Sequence, residues 1–279
     1  MKYILIILTF FTANIYAQDL LHFNKKYVKC EDKWVAFEED KDSSYAFGFI
    51  YIDSDAGLTL NYEGKFKIKE TGEFIPEKLD TTSIKIRLTP NNVQVAFIPE
   101  SKFDELEIER IPEWLKFYKE DTTSIDRLYK WGFMYNGWGE CEKALTYLKK
   151  AYKINSKYNG LSTELAYSYN CLGEYKKSIK LLKTVLDESP NDPYVNKELI
   201  YSYIKSNQLE KASESCKSAI ENCSDTTYNA ENCYNLLYTF YSKQDKKNFI
   251  LWLDETKKWT SNNDELSKGI KNMKNELLQ

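Results

Sequence analysis

Three stretches decide the fold: WGFMYNGWGECEKALTYL at 131–148, LAYSYNCLGEYKKSIKLL at 165–182 and LIYSYIKSNQLEKASESC at 199–216. They superpose without a gap at an interval of 34 residues. Gly139, Gly173 and Asn207 fall in one column; Ala144, Ser178 and Ala212 in another; Tyr135, Tyr169 and Tyr203 in a third. Trp131, Leu165 and Leu199 align, as do Leu148, Leu182 and Cys216, and Ala151, Val185 and Ala219. Ser156, Pro190 and Ser224 mark the ends of the units. Apolar residues recur at helical spacing on either side of the Gly/Gly/Asn break, so each unit reads as two antiparallel helices with a left-handed residue in the turn. Gly132 and Ala166 on the first helix, and Ala144, Ser178 and Ala212 on the second, are small where the helices must cross closely. Each pair leaves an apolar face that only the next pair covers, so the units are expected to stack as a solenoid.

These columns resemble the tetratricopeptide repeat (TPR), whose signature is a large residue, Leu-Gly, Tyr, Ala-x3-Phe and Pro. The matching residues are Trp131-Gly132-x2-Tyr135…Ala144-x3-Leu148, Leu165-Ala166-x2-Tyr169…Ser178-x3-Leu182…Pro190, and Leu199-Ile200-x2-Tyr203…Ala212-x3-Cys216. A fourth unit follows after a three-residue slip, as Leu236-Leu237-x2-Phe240…Phe249-x3-Leu253, and 261–279 reads as a final solvating helix opened by Asn263-Asp264. Ile200 and Phe249 depart from the pattern by filling small-residue slots. The expected units are 125–158, 159–192, 193–226 and 230–260.

The resemblance implies that the first helix of each unit lines a concave face. Its slots are Tyr129, Phe133 and Asn136, then Thr163, Tyr167 and Asn170, then Tyr194, Lys197 and Tyr201, then Tyr234, Tyr238 and Tyr241. Tyrosine offers contact area with a polar tip at low entropy cost. Asn136 and Asn170, one unit apart, could bond an extended peptide backbone. The competing reading is that some of these rings pack between helices, since the chain has 22 tyrosines. A related subclass of the repeat clamps a C-terminal carboxylate with cationic side chains. The comparable places here hold Tyr129, Phe133, Glu164 and Glu198, and glutamates repel a carboxylate. The leading expectation is a non-enzymatic module that binds a peptide or protein segment in this face. The alternatives are a glycan binder using the same rings, and a hydrolase with its site in the N-terminal region.

That region reads with period two. Tyr45 to Ile52 and Leu58 to Tyr62 flank Asp53-Ser54-Asp55-Ala56-Gly57, a β-hairpin. Ile84 to Leu88 and Val93 to Ile98 flank Thr89-Pro90-Asn91-Asn92, predicting a second hairpin. Trp34 to Phe37 and Phe66 to Ile68 are further strands. The Asp-x-Asp-x-Gly run at 53–57 reads as a turn, because an EF-hand loop needs more acidic ligands and a later glycine. The fold class is therefore α+β: a small antiparallel β-rich domain over 18–100, a linker with a short helix over 101–124, and the helical repeats over 125–260.

The chain has 279 residues, with 39 lysines plus arginines against 42 acidic residues, a charge of −3. Arginine occurs only as Arg87, Arg110 and Arg127, which argues against a nucleic-acid binder. Residues 1–17, MKYILIILTFFTANIYA, have the cation, short apolar run and small terminal residue of a secretory signal, and the run is too short for a membrane anchor. Lysine dominance with much asparagine, isoleucine and tyrosine suggests a low-GC bacterial source, hence a periplasmic or secreted protein. Six cysteines then stand in a disulfide-permissive compartment. Cys141 opens the second helix of unit one and Cys171 closes the first helix of unit two, so antiparallel packing brings them together; the same arithmetic places Cys216 opposite Cys233. Buried free thiols are the alternative. No C-x-x-C spacing, H-E-x-x-H, G-x-S-x-G or P-loop occurs, so neither metal nor cofactor is expected. The one histidine, His22, is read as exposed and passive. Glu38, Glu39, Asp40, Asp42, Asp53 and Asp55 are the carboxylates a hydrolase would use.

Overall fold

The computed structural model describes residues 20–78 and 84–278, and the chain divides into two compact units after Thr122. The signal reading of 1–17 lies outside the described residues. Among those described, no helix is long and apolar enough to cross a membrane.

The first unit is an antiparallel sheet of β1 (Lys25–Lys26), β2 (Lys33–Ala36), β3 (Tyr45–Asp53), β4 (Gly57–Ile68), β5 (Phe74–Lys78), β6 (Ile84–Arg87) and β7 (Gln94–Phe97). Its order is β1-β7-β2-β3-β4-β5, with β6 also on β4. The β3–β4 hairpin forms at the expected turn, where Asp53 Oδ1 accepts from the amides of Asp55 at 2.8 Å and Ala56 at 3.0 Å. The expected β6–β7 hairpin does not form. β6 pairs with β4, from Tyr62↔Ile84 to Thr59↔Arg87, while β7 pairs with β1 and β2. Burial decides this: Val95 and Ala96 of β7 are fully buried, whereas Ile84 and Ile86 of β6 stay exposed. Gly64 permits the changeover on β4, since a Cβ there would sit 2.5 Å from the Glu77 carbonyl oxygen.

The expected linker belongs to this unit. Residues 113–118 form a 3-10 turn rather than an α-helix, and Leu106 and Leu115 join the core with Trp34, Phe47, Phe49 and Phe66. Trp114 meets Phe49 and Tyr51 edge-on at 5.8 and 5.0 Å, and Trp34 Nε1 donates to the Glu109 carbonyl at 2.8 Å. A run rich in aromatic and apolar side chains is held by packing on the sheet, with 3-10 bonds such as that from the Leu115 amide to the Pro112 carbonyl at 3.0 Å in place of α-helical ones. Glu38, Glu39, Asp40 and Asp42 lie toward solvent, and Asp40 and Asp42 both pair with Lys65. His22 is exposed.

The second unit is four helical hairpins and a final helix: α1 (Ile125–Gly137) with α2 (Cys141–Ile154), α3 (Leu161–Cys171) with α4 (Tyr175–Glu188), α5 (Pro193–Lys205) with α6 (Leu209–Asn222), α7 (Asn229–Ser242) with α8 (Lys246–Thr260), and α9 (Asp264–Leu278). Every hairpin turns the same way. Gly139, Gly173, Asn207 and Gln244 have φ of 73°, 74°, 60° and 58°. The next amide donates back into the first helix: Glu140 to Tyr135, Glu174 to Tyr169 and Gln208 to Tyr203 at 2.8 Å, and Asp245 to Phe240 at 2.9 Å. That return bond satisfies a carbonyl the helix end would otherwise strand. Close crossing is visible at Gly132, where a Cβ would stand 2.3 Å from Leu148 Cγ. Ser124 caps α1 and Asn263 caps α9. First helices pack on first helices, α1 on α3, α3 on α5, α5 on α7 and α7 on α9, building one continuous inner layer.

Candidate functional site

The inner layer is stitched by a repeated polar motif. Asn136 Nδ2 donates to the Glu164 carbonyl at 3.0 Å and to Glu164 Oε2 at 2.8 Å, and Ser168 Oγ donates to Asn136 Oδ1 at 2.7 Å. One unit on, Asn170 Nδ2 donates to the Glu198 carbonyl at 3.1 Å and to Glu198 Oε2 at 2.9 Å, and Ser202 Oγ donates to Asn170 Oδ1 at 2.6 Å. The motif ends at the next unit, where Ile204 and, after the three-residue slip, Asn235 and Thr239 fill the corresponding places. Asn136 and Asn170 are each 3% exposed, so the expectation that they meet a peptide backbone is corrected: their amides and carbonyls already bond the neighbouring repeat. Slot position alone does not reveal Glu164, Ser168, Glu198 and Ser202 as their partners, although 164/198 and 168/202 share the interval of 136/170.

Glu164 is 4% exposed and its carboxyl is pushed up to about 7, first by burial and further by Glu198, with the Asn136 amide pulling the other way. Glu198 differs in having a cation beside it, Lys197 Nζ, at 3.0 Å from Oε1. Lys197 also reaches Glu231 at 3.6 Å and lies 5.7 and 5.8 Å from the ring centres of Tyr194 and Tyr228.

Aromatic side chains surround these carboxylates. Phe133 is 56% exposed, and Tyr129, Tyr167, Tyr194 and Tyr201 are half-buried. Tyr129 packs on Tyr158 at 5.1 Å, and burial and then Glu164 push its hydroxyl up to about 12. Tyr194 packs on Tyr228 at 5.9 Å, and its hydroxyl is raised by burial and then by Glu164 and Glu198. Tyr158 and Tyr228 lie in the connections before α3 and α7, outside the helical slots, where the repeat pattern does not point. Thr163 is buried.

The fourth hairpin departs from expectation. Tyr241 hydrogen-bonds Glu276 of α9, and the Tyr234 hydroxyl lies 2.9 Å from where a Cβ on Gly269 of α9 would be. Helix α9 therefore covers the inner slots of Tyr234 and Tyr241, because the last hairpin needs a partner for its apolar face. Tyr238 stays 53% exposed.

Of the paired cysteines, Cys141 and Cys171 form a disulfide with Cα atoms 6.3 Å apart, linking the first hairpin to the second. Cys216 and Cys233 adjoin one another as expected but are free, buried thiols; their mutual hydrogen bond and then burial raise the Cys216 thiol. Cys30 and Cys223 are also buried and free. Among the described residues, no three histidine, cysteine or acidic side chains gather as a metal-binding group.

No protein-family model and no curated protein matches the chain. Solved structures do. MamA (residues 41–end) of Desulfovibrio magneticus RS-1 is 20% identical and covers 60% of this chain and 88% of its own, with a TM-score of 0.45. YrrB, described as a TPR protein with an unusual peptide-binding site, is 16% identical over 62% of this chain and 81% of its own, at a TM-score of 0.46. TTC0263, a thermophilic TPR protein of Thermus thermophilus, is 17% identical over 56% of this chain and 84% of its own, at 0.45. Each resembles this chain over part of its length. The recurrence of one hairpin geometry at a fixed interval carries the fold assignment: the helical unit is a TPR-like solenoid.

Proposed function

We propose that this chain is an exported, non-enzymatic interaction module that holds an extended peptide or protein segment against the inner layer of its helical repeats. The observation that carries the reading is the run of partly open rings, Tyr129, Phe133, Tyr167, Tyr194 and Tyr201, along three successive first helices. Half-buried rings are fixed in place before a ligand arrives, so little side-chain entropy is lost on binding. Export rests on the composition of residues 1–17 and fits a disulfide between the first two hairpins.

Panning a displayed peptide library on the full chain supplies ligands, whose affinities are then compared in Tyr167→Ala and Tyr201→Ala. Each substitution is expected to weaken binding by about tenfold or more, as central aromatic contacts do. Unchanged affinity in both defeats the assignment. Selection of polysaccharide in place of peptide, with binding that survives high salt, moves the reading to glycan recognition. Fractionation of expressing cells, with N-terminal sequencing of the processed chain, tests export; a protein that keeps residues 1–17 refutes it.

A further inference from the structure

Helices α2, α3 and α4 and the 156–160 connection line a groove of about 680 Å3, with a floor shared by α3 and α4. Five lysines line it, Lys149, Lys153, Lys157, Lys177 and Lys180, against one carboxylate, Glu188. This is a local concentration of charge in a chain whose net charge is −3. The analogous groove between α6 and α8, about 350 Å3, is balanced by contrast: Lys217 and Lys258 against Glu221 and Glu255. A general richness in lysine therefore does not account for it.

The lysines share one groove with few carboxylates to neutralise them. Lys149 Nζ and Lys177 Nζ approach the same ring, Tyr169, at 5.8 and 5.3 Å from its centre. Lys177 is paired with Glu174. Among the described residues, Lys149, Lys153, Lys157 and Lys180 have no carboxylate at ion-pair distance. Ammonium groups gathered around one groove repel one another, and an anion laid between them relieves that repulsion. The floor is apolar, with Leu165 buried and Leu181 and Val185 half-buried. Leu165, Leu181 and Val185 suit aliphatic side chains, and none of the three arginines, whose forks favour phosphate, is present.

We propose that this groove is a second binding site, which adjoins the ring-lined inner layer at Tyr158 and Thr163, and that it takes an acidic polypeptide segment bearing aliphatic residues. Glutamate or aspartate side chains meet the two lysine rows while leucine or valine side chains rest on the floor.

The probe is a short fluorescein-labelled peptide of mixed glutamate and leucine, titrated with the full chain by fluorescence anisotropy. Saturable binding that weakens with salt is expected. The triple variant Lys149→Gln/Lys153→Gln/Lys180→Gln should lose at least about tenfold in affinity, since three unscreened charges are removed from one contact. Lys217→Gln/Lys258→Gln should stay within about twofold, because it removes charge of the same sign elsewhere. Tyr201→Ala should leave this peptide's affinity unchanged, so failure here and failure of the inner-layer reading are separable. Lys149→Gln and Lys180→Gln are also measured singly, each as a partial loss, so that a misfolded triple variant does not decide the matter. Absence of binding, equal binding of the glutamine-for-glutamate peptide, or no loss in the lysine variants overturns the proposal. Tighter binding of a sulfated oligosaccharide or a single-stranded oligonucleotide, lost in the same variants, overturns the choice of a polypeptide.

Discussion

Replacing Glu164 by glutamine should stabilise the protein at alkaline pH and leave it nearly unchanged at acid pH. The side chain is 4% exposed, with the Asn136 amide as its hydrogen-bond donor and Glu198 of the next repeat raising its pKa further. Burial lifts its carboxyl from 4.5 to about 7, so the folded state holds a proton across a range in which the unfolded chain has released it. The stabilisation from that proton is complete below about pH 4.5 and is lost as pH rises through about 7. The gap between the two values corresponds to about 3 kcal/mol. Glutamine keeps the carbonyl that accepts from Asn136 and never ionises. At pH 8, Glu164→Gln should therefore exceed the parent by up to about 3 kcal/mol, or roughly 6–12 °C in Tm for a helical unit of this size. The assay is urea unfolding followed by far-ultraviolet circular dichroism at several values between about pH 4.5 and 8, with the difference between the two proteins plotted against pH. A difference that does not grow with pH, or a variant less stable than the parent at pH 8, refutes the argument.

Asn170→Ala strips Glu198 of its amide donor and Ser202 of its acceptor in a fully packed layer, and should cost about 1–3 kcal/mol in the same unfolding assay. Reduction of Cys141–Cys171, which closes a loop with a sequence separation of 30, should lower stability by about 2–4 kcal/mol; Cys141→Ser/Cys171→Ser should match the reduced parent and show no response to reductant. Iodoacetamide should label Cys216 and Cys233 only after unfolding, and mass mapping of the labelled residues checks it. Gly132→Ala, which sets a methyl group against the buried Leu148, should destabilise by about 1–3 kcal/mol, and Gly132→Ala/Leu148→Ala should lose less than the sum of the two single losses, measured as a double-mutant cycle.

Most of the helical unit was legible because its constraints are local and repeated. Small residues at Gly132, Ala166 and Ala144 and turn residues at Gly139 and Gly173 each answer to a contact inside one hairpin, and the interval multiplies the signal. The sheet was less legible. The turn at 89–92 looks like a hairpin, but pairing follows the burial of Val95 and Ala96, which depends on strands distant in sequence. Residues 113–118 carry helix-start chemistry, yet Trp114 and Leu115 are held by the sheet. At the inner layer, slot position told which side chains face inward but not what already fills the space. Asn136 and Asn170 are engaged by Glu164 and Glu198, and Tyr234 and Tyr241 by α9, a contact between a repeat and a non-repeating helix that no periodicity announces.

The placement of α9 turns the inner layer into a ruler. With α9 over the inner slots of Tyr234 and Tyr241, the continuous run of rings extends from α1 to α5, and Tyr238 is left as a single exposed ring on α7. Three helix axes at the usual 8–10 Å separation span about 16–20 Å, roughly the length of five or six residues in an extended strand. A guest crossing the layer would be measured against that span, and a longer one would find only Tyr238 before it met α9.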